Sequence, residues 1–253
     1  MKKIKSYNEC RDGLLLVDKP SGCTSHDVVN AVRRGFQLRK VGHGGTLDPN
    51  ATGLLVILLG KGTKLSSKVM GGDKTYIGEI RLGRTTTTQD CDGEVLEEKP
   101  CDHVSRDDVE KAMKDLCGDI FQTPPMVSAI KVKGVPLYKM ARKGQVVERK
   151  KRFVHIFRFV ITEWTPPSVF FEVICTKGTY VRTLAHDIGR ELGCGASLQN
   201  LRRNASGEFN VADAFPLEEI REWSLSDLNE RILPYAQFAA ADGCLQPPSG
   251  VTG

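Results

Sequence analysis

The chain contains 253 residues, of which 40% are hydrophobic, 26% charged and 7% aromatic, and it carries a net charge of +5. This length and balance exclude a disulfide-dependent miniprotein and an intrinsically disordered chain. The longest apolar run, Leu54–Leu59, is strand-sized, whereas a membrane helix needs roughly 18 apolar residues. The start of the chain has no apolar segment of the kind that a secretory signal carries, so we expect a cytoplasmic protein with no membrane partner.

Eight cysteines and five histidines are scattered along the chain. No Cys-x-x-Cys pair occurs, and no histidine stands at zinc-ligand spacing from a second histidine or a cysteine. Without a secretory signal, this pattern favours reduced thiols and predicts no metal site.

Charge is segregated along the sequence. Ten basic residues and one acid lie between Lys131 and Arg158, whereas eleven acids and four bases lie between Asp90 and Asp119. Such segregation predicts a basic surface that faces a polyanion, although a solvated charged face would give the same pattern. Glycine and proline interrupt the basic run, which favours a loop or hairpin over a helix.

Two apolar runs predict the first strands. Gly13–Val17 ends at a Lys-Pro-Ser-Gly turn, and Leu54–Leu59 follows a glycine-rich loop. Between these strands, Thr24 or Ser25 can cap a helix that continues to about Arg34.

The next elements show either the alternation of a strand or the apolar spacing of an amphipathic helix. Alternation over Tyr76–Leu82 predicts a half-buried strand, and Ser105 precedes an amphipathic helix that stops at Gly118. Two further strands, Phe153–Ile161 and Val169–Cys175, are separated by a Thr-Pro-Pro-Ser link.

The last regular elements are helical. An apolar stripe over Val181–Leu192 predicts a helix that ends before Gly193, and a short helix is expected around Pro216–Trp223. Residues Gln246–Gly253 are predicted to form a disordered tail. Because strands and helices mix without a βαβ rhythm, the predicted fold class is α+β, with a mixed, largely antiparallel sheet flanked by helices.

The loop Gly42–Pro49 is the strongest local signal, because its glycines and Asp-Pro step present one carboxylate, that of Asp48. An aspartate before proline also starts ordinary turns, so a purely structural role for Asp48 stays open at this point. The loop lacks the Gly-Lys-Ser/Thr of a phosphate-binding loop and the strand–helix setting of a dinucleotide fingerprint.

Five segments, in order, resemble the motifs of the TruB-type tRNA pseudouridine-55 synthases. The segments that carry the resemblance are Leu16–Pro20, Gly42–Gly53, Lys74–Tyr76, Lys177–Leu184 and Leu198–Phe209. Together they span roughly residues 12 to 215. The resemblance implies a pseudouridine synthase fold and an enzyme that isomerises the T-loop uridine at tRNA position 55.

The implied reaction detaches uracil from C1′ of the ribose, turns it and rejoins it through C5, with no redox change and therefore no cofactor. It needs an anionic side chain in a site that excludes water. By resemblance, Asp48 is this catalytic carboxylate and Arg182 is its partner, a permanently charged fork suited to a carboxylate.

The resemblance also assigns residues that bind the substrate. Tyr76 would stack on the target uracil, Tyr180 and Leu201 would line the base pocket, and His43 would fill the space that the flipped base leaves. Lys19 would contact the pocket or a phosphate. Each of these residues also has an ordinary structural interpretation, as a turn lysine or a core side chain.

The family's insertion over the tRNA T arm corresponds to about residues 122–152, which hold most of the basic run. The predicted RNA-binding residues are Lys131, Lys133, Arg142, Lys143, Arg149, Lys150, Lys151 and Arg152. Backbone-directed cations of this kind set affinity and salt dependence.

The expected organisation is a catalytic domain over residues 1–222 and a short extension over residues 223–253. The 46 residues after Gly207 are too few for the C-terminal RNA-binding domain that bacterial relatives generally carry, so we expect that domain to be absent. The expected partner is tRNA, with no protein partner, and the chain is expected to be a monomer.

Two other functions compete with this interpretation. An RNA-binding or tRNA-folding protein with dispensable catalysis would need the same RNA surface, so it remains the alternative. An aspartate-dependent glycoside hydrolase would need two carboxylates across a sugar, and no second acid accompanies Asp48 in the motifs.

Overall fold

The computed structural model describes residues 7–128, 131–132, 134–137, 140, 145 and 147–239. The α-helices, in chain order, are α1 Ser25–Gly35, α2 Ser66–Gly71, α3 Arg106–Asp115, α4 Val181–Glu191, α5 Leu217–Glu222, α6 Leu225–Arg231 and α7 Tyr235–Ala239. The strands are β1 Gly13–Lys19, β2 Val41–His43, β3 Thr52–Leu59, β4 Lys74–Leu82, β5 Arg84–Thr86, β6 Val95–Glu98, β7 Gly118–Gln122, β8 Lys131–Val132, β9 Val135–Pro136, β10 Arg152–Thr165, β11 Ser168–Cys175, β12 Ala196–Ser206, β13 Phe209–Asn210, β14 Phe215–Pro216 and β15 Leu233–Pro234. Short 3₁₀ helices lie at Gly60–Leu65 and Val211–Asp213.

The described residues form two compact units. The first unit takes the described parts of Met1–Pro49, Gly53–Gly71 and Phe209–Gly253, and the second takes those of Asn50–Thr52 and Gly72–Glu208.

The first unit is built around β1 and β3, which pair antiparallel with Gly13 opposite Leu59. β2 pairs antiparallel with β3, and β1 also pairs with β14 in parallel and with β15 antiparallel. Leucine and valine side chains of β1 and β3 form a core with Leu65, Val69 and Phe209. This burial of aliphatic side chains is the main stabilising contribution in the unit.

The second unit is an antiparallel sheet in the order β12-β4-β11-β10-β7. β4 and β11 stay in register from Lys74 opposite Cys175 to Arg81 opposite Ser168. Helix α3 packs on β10 and helix α4 on β12. The α+β class with a largely antiparallel sheet is therefore confirmed, and β1 with β14 is a parallel pair within it.

Helix starts follow the sequence closely. Thr24 caps α1, and its hydroxyl accepts from the backbone N–H of Asp27 while the Asp27 carboxylate accepts from the backbone N–H of Thr24. Ser105 and Asp108 form the same reciprocal pair at α3, as capping boxes do. Gly118 and Gly193, the predicted stops, lie beyond α3 and α4 with φ of +90° and +74°.

Among the elements that differ from the sequence-based expectation are β10 and β12. β10 continues past Ile161 to Thr165, because its last residues pair with the start of β11 across the Pro-Pro link. The sequence does not predict β12 as a strand, since its polar residues break the apolar alternation. Part of the basic run forms the predicted hairpin, with β8 and β9 antiparallel around Gly134 at φ +82°. Leu137 and Met140 in the same run are helical, which the sequence does not predict.

The described residues also bear on the cysteines, on membrane-spanning helices and on the predicted tail. The seven described cysteines are free thiols. In the part of the chain that the structure describes, no helix is long and apolar enough to cross a membrane. The predicted tail at residues 246–253 lies outside the described residues.

Candidate active site

The loop that carries Asp48 is fixed through both of its neighbours in the first unit. On one side, the Ser25 hydroxyl accepts from the backbone N–H of Leu47 at 2.8 Å and donates to its carbonyl at 3.1 Å. On the other side, the carbonyl of Pro49 accepts from the Lys19 ammonium at 2.9 Å and from the backbone N–H of Gly22 at 3.0 Å. The backbone of Asp48 is therefore held between two anchored residues.

Lys19 is fully buried at the end of β1. Besides Pro49, its ammonium donates to the carbonyls of Pro20 at 2.8 Å and Cys23 at 2.7 Å. A buried ammonium is tolerated when its N–H donors are satisfied in this way. These bonds tie the turn after β1 to the loop of Asp48, which is a positioning role; the contact to pocket or phosphate remains a prediction.

His43 ends β2 and is half-buried. Its Nδ1 accepts from the backbone N–H of Gly45 at 3.3 Å. Gly44 packs so closely on Val69 that a Cβ there would lie 2.3 Å from a Val69 methyl carbon. A side chain at position 44 would therefore displace the loop that follows β2.

In the second unit, Arg182 is buried in the first turn of α4, with 3% of its surface exposed. Its Nη1 donates to the Asp90 carboxylate at 3.0 Å and to the carbonyl of Thr88 at 3.3 Å, and its Nη2 donates to the carbonyl of Val127 at 3.0 Å. Arg182 thus joins three separate segments, which fixes its guanidinium rather than leaving it on the helix surface.

Asp90 is a buried acid that the sequence motifs do not assign to the site. Its carboxylate also accepts from the Thr88 hydroxyl and from the backbone N–H of Asp92. The neighbouring Gln89 has a φ of +66°, which is uncommon for a residue other than glycine. In sequence, Asp-Cys-Asp-Gly is indistinguishable from an ordinary turn, so only the fold reveals that Asp90 pairs with Arg182. The predicted partnership of Arg182 with Asp48 remains a prediction.

Tyr180 stands at the N-terminal cap of α4 and is held by Gln122. The Gln122 side chain accepts from the backbone N–H of Tyr180 at 2.9 Å and donates to its carbonyl at 3.2 Å. Gln122 is only 2% exposed, so it acts as a buried two-point clamp. The sequence offers no signal for this pairing, because it joins residues 58 positions apart.

Tyr76 and Leu201 lie on paired strands. Tyr76 is buried on β4, between Val173 of β11 and Arg203 of β12. Leu201 of β12 is half-buried opposite Gly78, and its carbonyl accepts from the Thr52 hydroxyl at 3.5 Å. Their predicted contacts with the base remain predictions.

Lys74 begins β4 and is buried, with its ammonium donating to the carbonyl of Gly72. Burial lowers the pKa of Lys74 to about 8, and the charge of Arg203 adds to this effect. Burial likewise raises the pKa of the Cys175 thiol, which lies opposite Lys74, to about 11.

The predicted RNA-binding residues are only partly described. Lys133, Arg142 and Lys143 lie outside the described residues, and of Lys131 the structure describes the backbone in β8. Arg149 is half-buried, whereas the other three described cations are exposed, namely Lys150, Lys151 and Arg152. No group of three or more His, Cys, Asp or Glu side chains that could hold a metal ion occurs in the described part of the chain.

Comparison with known proteins places this fold among enzymes that isomerise uridine in RNA. The family model described as TruB family pseudouridylate synthase (N terminal domain) matches residues 33–181, and the model described as tRNA pseudouridylate synthase B C-terminal domain matches residues 182–240. The chain belongs to the TruB family of pseudouridylate synthases.

Curated proteins with similar sequences carry a name from the same family. The protein named tRNA pseudouridine synthase B from Opitutus terrae is 50% identical over 228 residues, which are 90% of this chain and 95% of that protein. The protein of the same name from Syntrophotalea carbinolica is 47% identical over 89% of this chain and 74% of its own length.

A solved structure shares the fold. In the crystal structure of a Cbf5-Nop10-Gar1 complex, the matched chain is 29% identical with a TM-score of 0.69. The match covers 88% of this chain and 60% of that chain. This likeness confirms the pseudouridine synthase fold that the sequence motifs predict.

Proposed function

We propose that this protein converts the T-loop uridine at tRNA position 55 to pseudouridine. The observation that carries the proposal is Asp48, a carboxylate on a loop anchored at Leu47 and Pro49, in a member of a pseudouridylate synthase family. The names of the curated relatives support tRNA as the substrate and favour an enzyme over an RNA-folding protein with dispensable catalysis.

Asp48 is the catalytic residue of the proposal. Its carboxylate attacks or electrostatically stabilises the sugar or the base as the bond between C1′ and N1 breaks. The bond between C1′ and C5 then forms, the hydrogen on C5 leaves as a proton, and N1 of the product holds a proton. No electrons are gained or lost, so the reaction needs no cofactor. A rigid backbone helps because the carboxylate then needs little reorganisation during the reaction.

The other assigned residues bind the uridine. Tyr76 stacks on the base, and Tyr180 and Leu201 line its pocket. His43 takes the place of the flipped base, and Lys19 contacts the pocket or a phosphate. Extruding a nucleotide costs a few kcal/mol, which stacking and phosphate contacts offset. The burial of Arg182 against Asp90 supports a role in the site rather than on the surface.

The T arm of the tRNA is the proposed partner, held by the basic segment within residues 122–152. Arg149, Lys150, Lys151 and Arg152 supply its described cations. We further propose that the protein works in the cytoplasm, as a monomer without a protein partner.

The test is the position of the product. A full-length tRNA transcript without modifications is incubated with the enzyme, and pseudouridine is mapped by carbodiimide labelling and primer extension. A stop at position 55 is expected, together with none in a transcript that carries cytidine there. Modification at another position, with position 55 left unmodified, would contradict the assigned substrate site.

A further inference from the structure

A polar cavity of about 280 Å³ lies in the second unit, and its lining includes none of the residues assigned to the uridine. Helix α4 forms one wall with His186 and Arg190, and the end of β7 contributes Phe121. Arg149 and Lys151, which precede β10, are also among the lining residues.

The cavity carries a positive charge. Arg149, Lys151 and Arg190 are cations, and Asp187 is the acid among the lining residues. Arg190 pairs with Asp187 at 3.3 Å, and burial raises the pKa of Asp187. With Asp187 ionised, the permanent charges sum to about +2, so an anion is the ligand that this cavity favours.

Two buried nitrogen atoms of the lining residues have no hydrogen-bond partner among the described residues. They are Nε of Arg149 and Nδ1 of His186. Arg149 is nevertheless fixed, because its Nη1 donates to the carbonyl of Pro124 at 3.0 Å. Buried donors are satisfied in nearly all proteins, and an unpaired donor costs free energy. Both atoms have almost no accessible surface, so an anion in the cavity would be held by the Nη donors of Arg149 and by the side chains of Lys151 and Arg190, to which phosphate offers several acceptor oxygens.

The rim of the cavity adds an aromatic surface. Phe121 is 68% exposed and makes an edge-to-face contact with Phe153 at 5.6 Å between ring centroids. Exposed aromatic rings beside cations are typical of sites that hold nucleotides, where the ring packs on a base and the cations on the backbone.

We propose that this cavity binds a backbone phosphate of the RNA, at a nucleotide other than the reacting uridine. The proposal rests on the proposed function, since it concerns the same RNA. His186 and Arg190 follow Arg182 on α4 by four and eight residues, roughly 6 and 12 Å along the helix axis. The site therefore lies a few nucleotides from a base bound at the start of α4, and it adds His186 and Arg190 to the RNA contacts.

The experiment measures binding of a full-length unmodified tRNA transcript across a range of KCl concentrations. The variants are Lys151→Gln, Arg190→Gln and the double variant. Lys111→Gln, on the exposed face of α3, is the charge-matched control for each single variant. The side chain of Arg190 is 76% exposed, so its replacement leaves the fold intact, and thermal unfolding checks this for each variant.

For the double variant we expect Kd to rise about tenfold near 0.1 M salt and the slope of log K against log salt to fall by roughly 1. Lys111→Gln should change neither Kd nor slope. A double variant that behaves like Lys111→Gln would overturn the proposal, as would a loss of kcat with Kd unchanged.

Failure of the phosphate site is distinguishable from failure of the proposed function. If wild type modifies position 55 normally while the salt slope is the same in all variants, only the phosphate site is refuted. If wild type forms no pseudouridine in any tRNA, the proposed function itself is refuted.

Discussion

The anchoring of Leu47 by Ser25 predicts a specific loss when that hydroxyl is removed. Ser25 is 2% exposed, and Ser25→Ala leaves both the N–H and the carbonyl of buried Leu47 without this partner. An unsatisfied buried backbone group costs about 1–3 kcal/mol, so we expect the free energy of unfolding to fall by about 1–3 kcal/mol. Because Asp48 follows Leu47 directly, we also expect kcat to fall about tenfold, equivalent to about 1.4 kcal/mol of transition-state stabilisation, with little change in KM.

The control lies one residue away. Thr24→Ala removes the cap of the same helix and costs about 1 kcal/mol of stability, without touching Leu47. Urea unfolding and single-turnover pseudouridine formation compare the two variants. If both lose similar stability and both keep wild-type kcat, the anchor does not position Asp48, and the reasoning is refuted.

Three further predictions concern the second unit. Asp90→Asn removes a carboxylate that pairs with buried Arg182. It should lower the free energy of unfolding by more than Glu98→Gln, which removes the exposed partner of Arg84 and should cost no more than about 1 kcal/mol. Equal losses in urea unfolding would refute the difference. Gln122→Leu removes both hydrogen bonds to the backbone of Tyr180. It should raise KM for tRNA and lower the free energy of unfolding by about 1–3 kcal/mol. An unchanged KM would show that Gln122 does not shape the base pocket through Tyr180. Lys74 has a folded-state pKa of about 8, against 10.5 for an ordinary lysine. Between pH 8 and 10.5 the folded state therefore binds fewer protons than the unfolded state, so the free energy of unfolding should rise with pH across that window. Lys74→Met should abolish this rise, and an identical pH dependence in both proteins would contradict the pKa shift.

Local chemistry explains what the sequence can predict. Capping residues such as Ser105 act on the backbone three residues away, so the start of α3 follows from a short stretch of sequence. The strands β1 and β3 are likewise predictable from a short stretch of sequence, because each is an apolar run. The Asp48 loop is also recognisable, because its glycines, proline and carboxylate stand together in one short segment, Gly42–Gly53.

Long-range partners explain what the sequence cannot predict. Lys19 has the sequence setting of a turn lysine, yet the fold buries its ammonium against a carbonyl 30 residues away. Asp90 and Arg182 are 92 positions apart, and neither residue type reveals the other. β12 lacks apolar alternation because some of its buried positions hold polar residues: Ser197, Arg203 and Ser206 are 1%, 2% and 1% exposed. Such partners are set by the assembled sheet and not by local propensity.

The central claim is that Asp48 drives an isomerisation of uridine, and release of the C5 hydrogen tests it most directly. A T-arm stem-loop RNA that carries [5-³H]uridine is incubated with wild type and with Asp48→Asn, while binding of the same RNA is measured in parallel. Tritium release by wild type is expected, with none by Asp48→Asn and with binding retained in both. Release by Asp48→Asn at the wild-type rate would contradict the role of this carboxylate, and binding without release by wild type would contradict the enzymatic function.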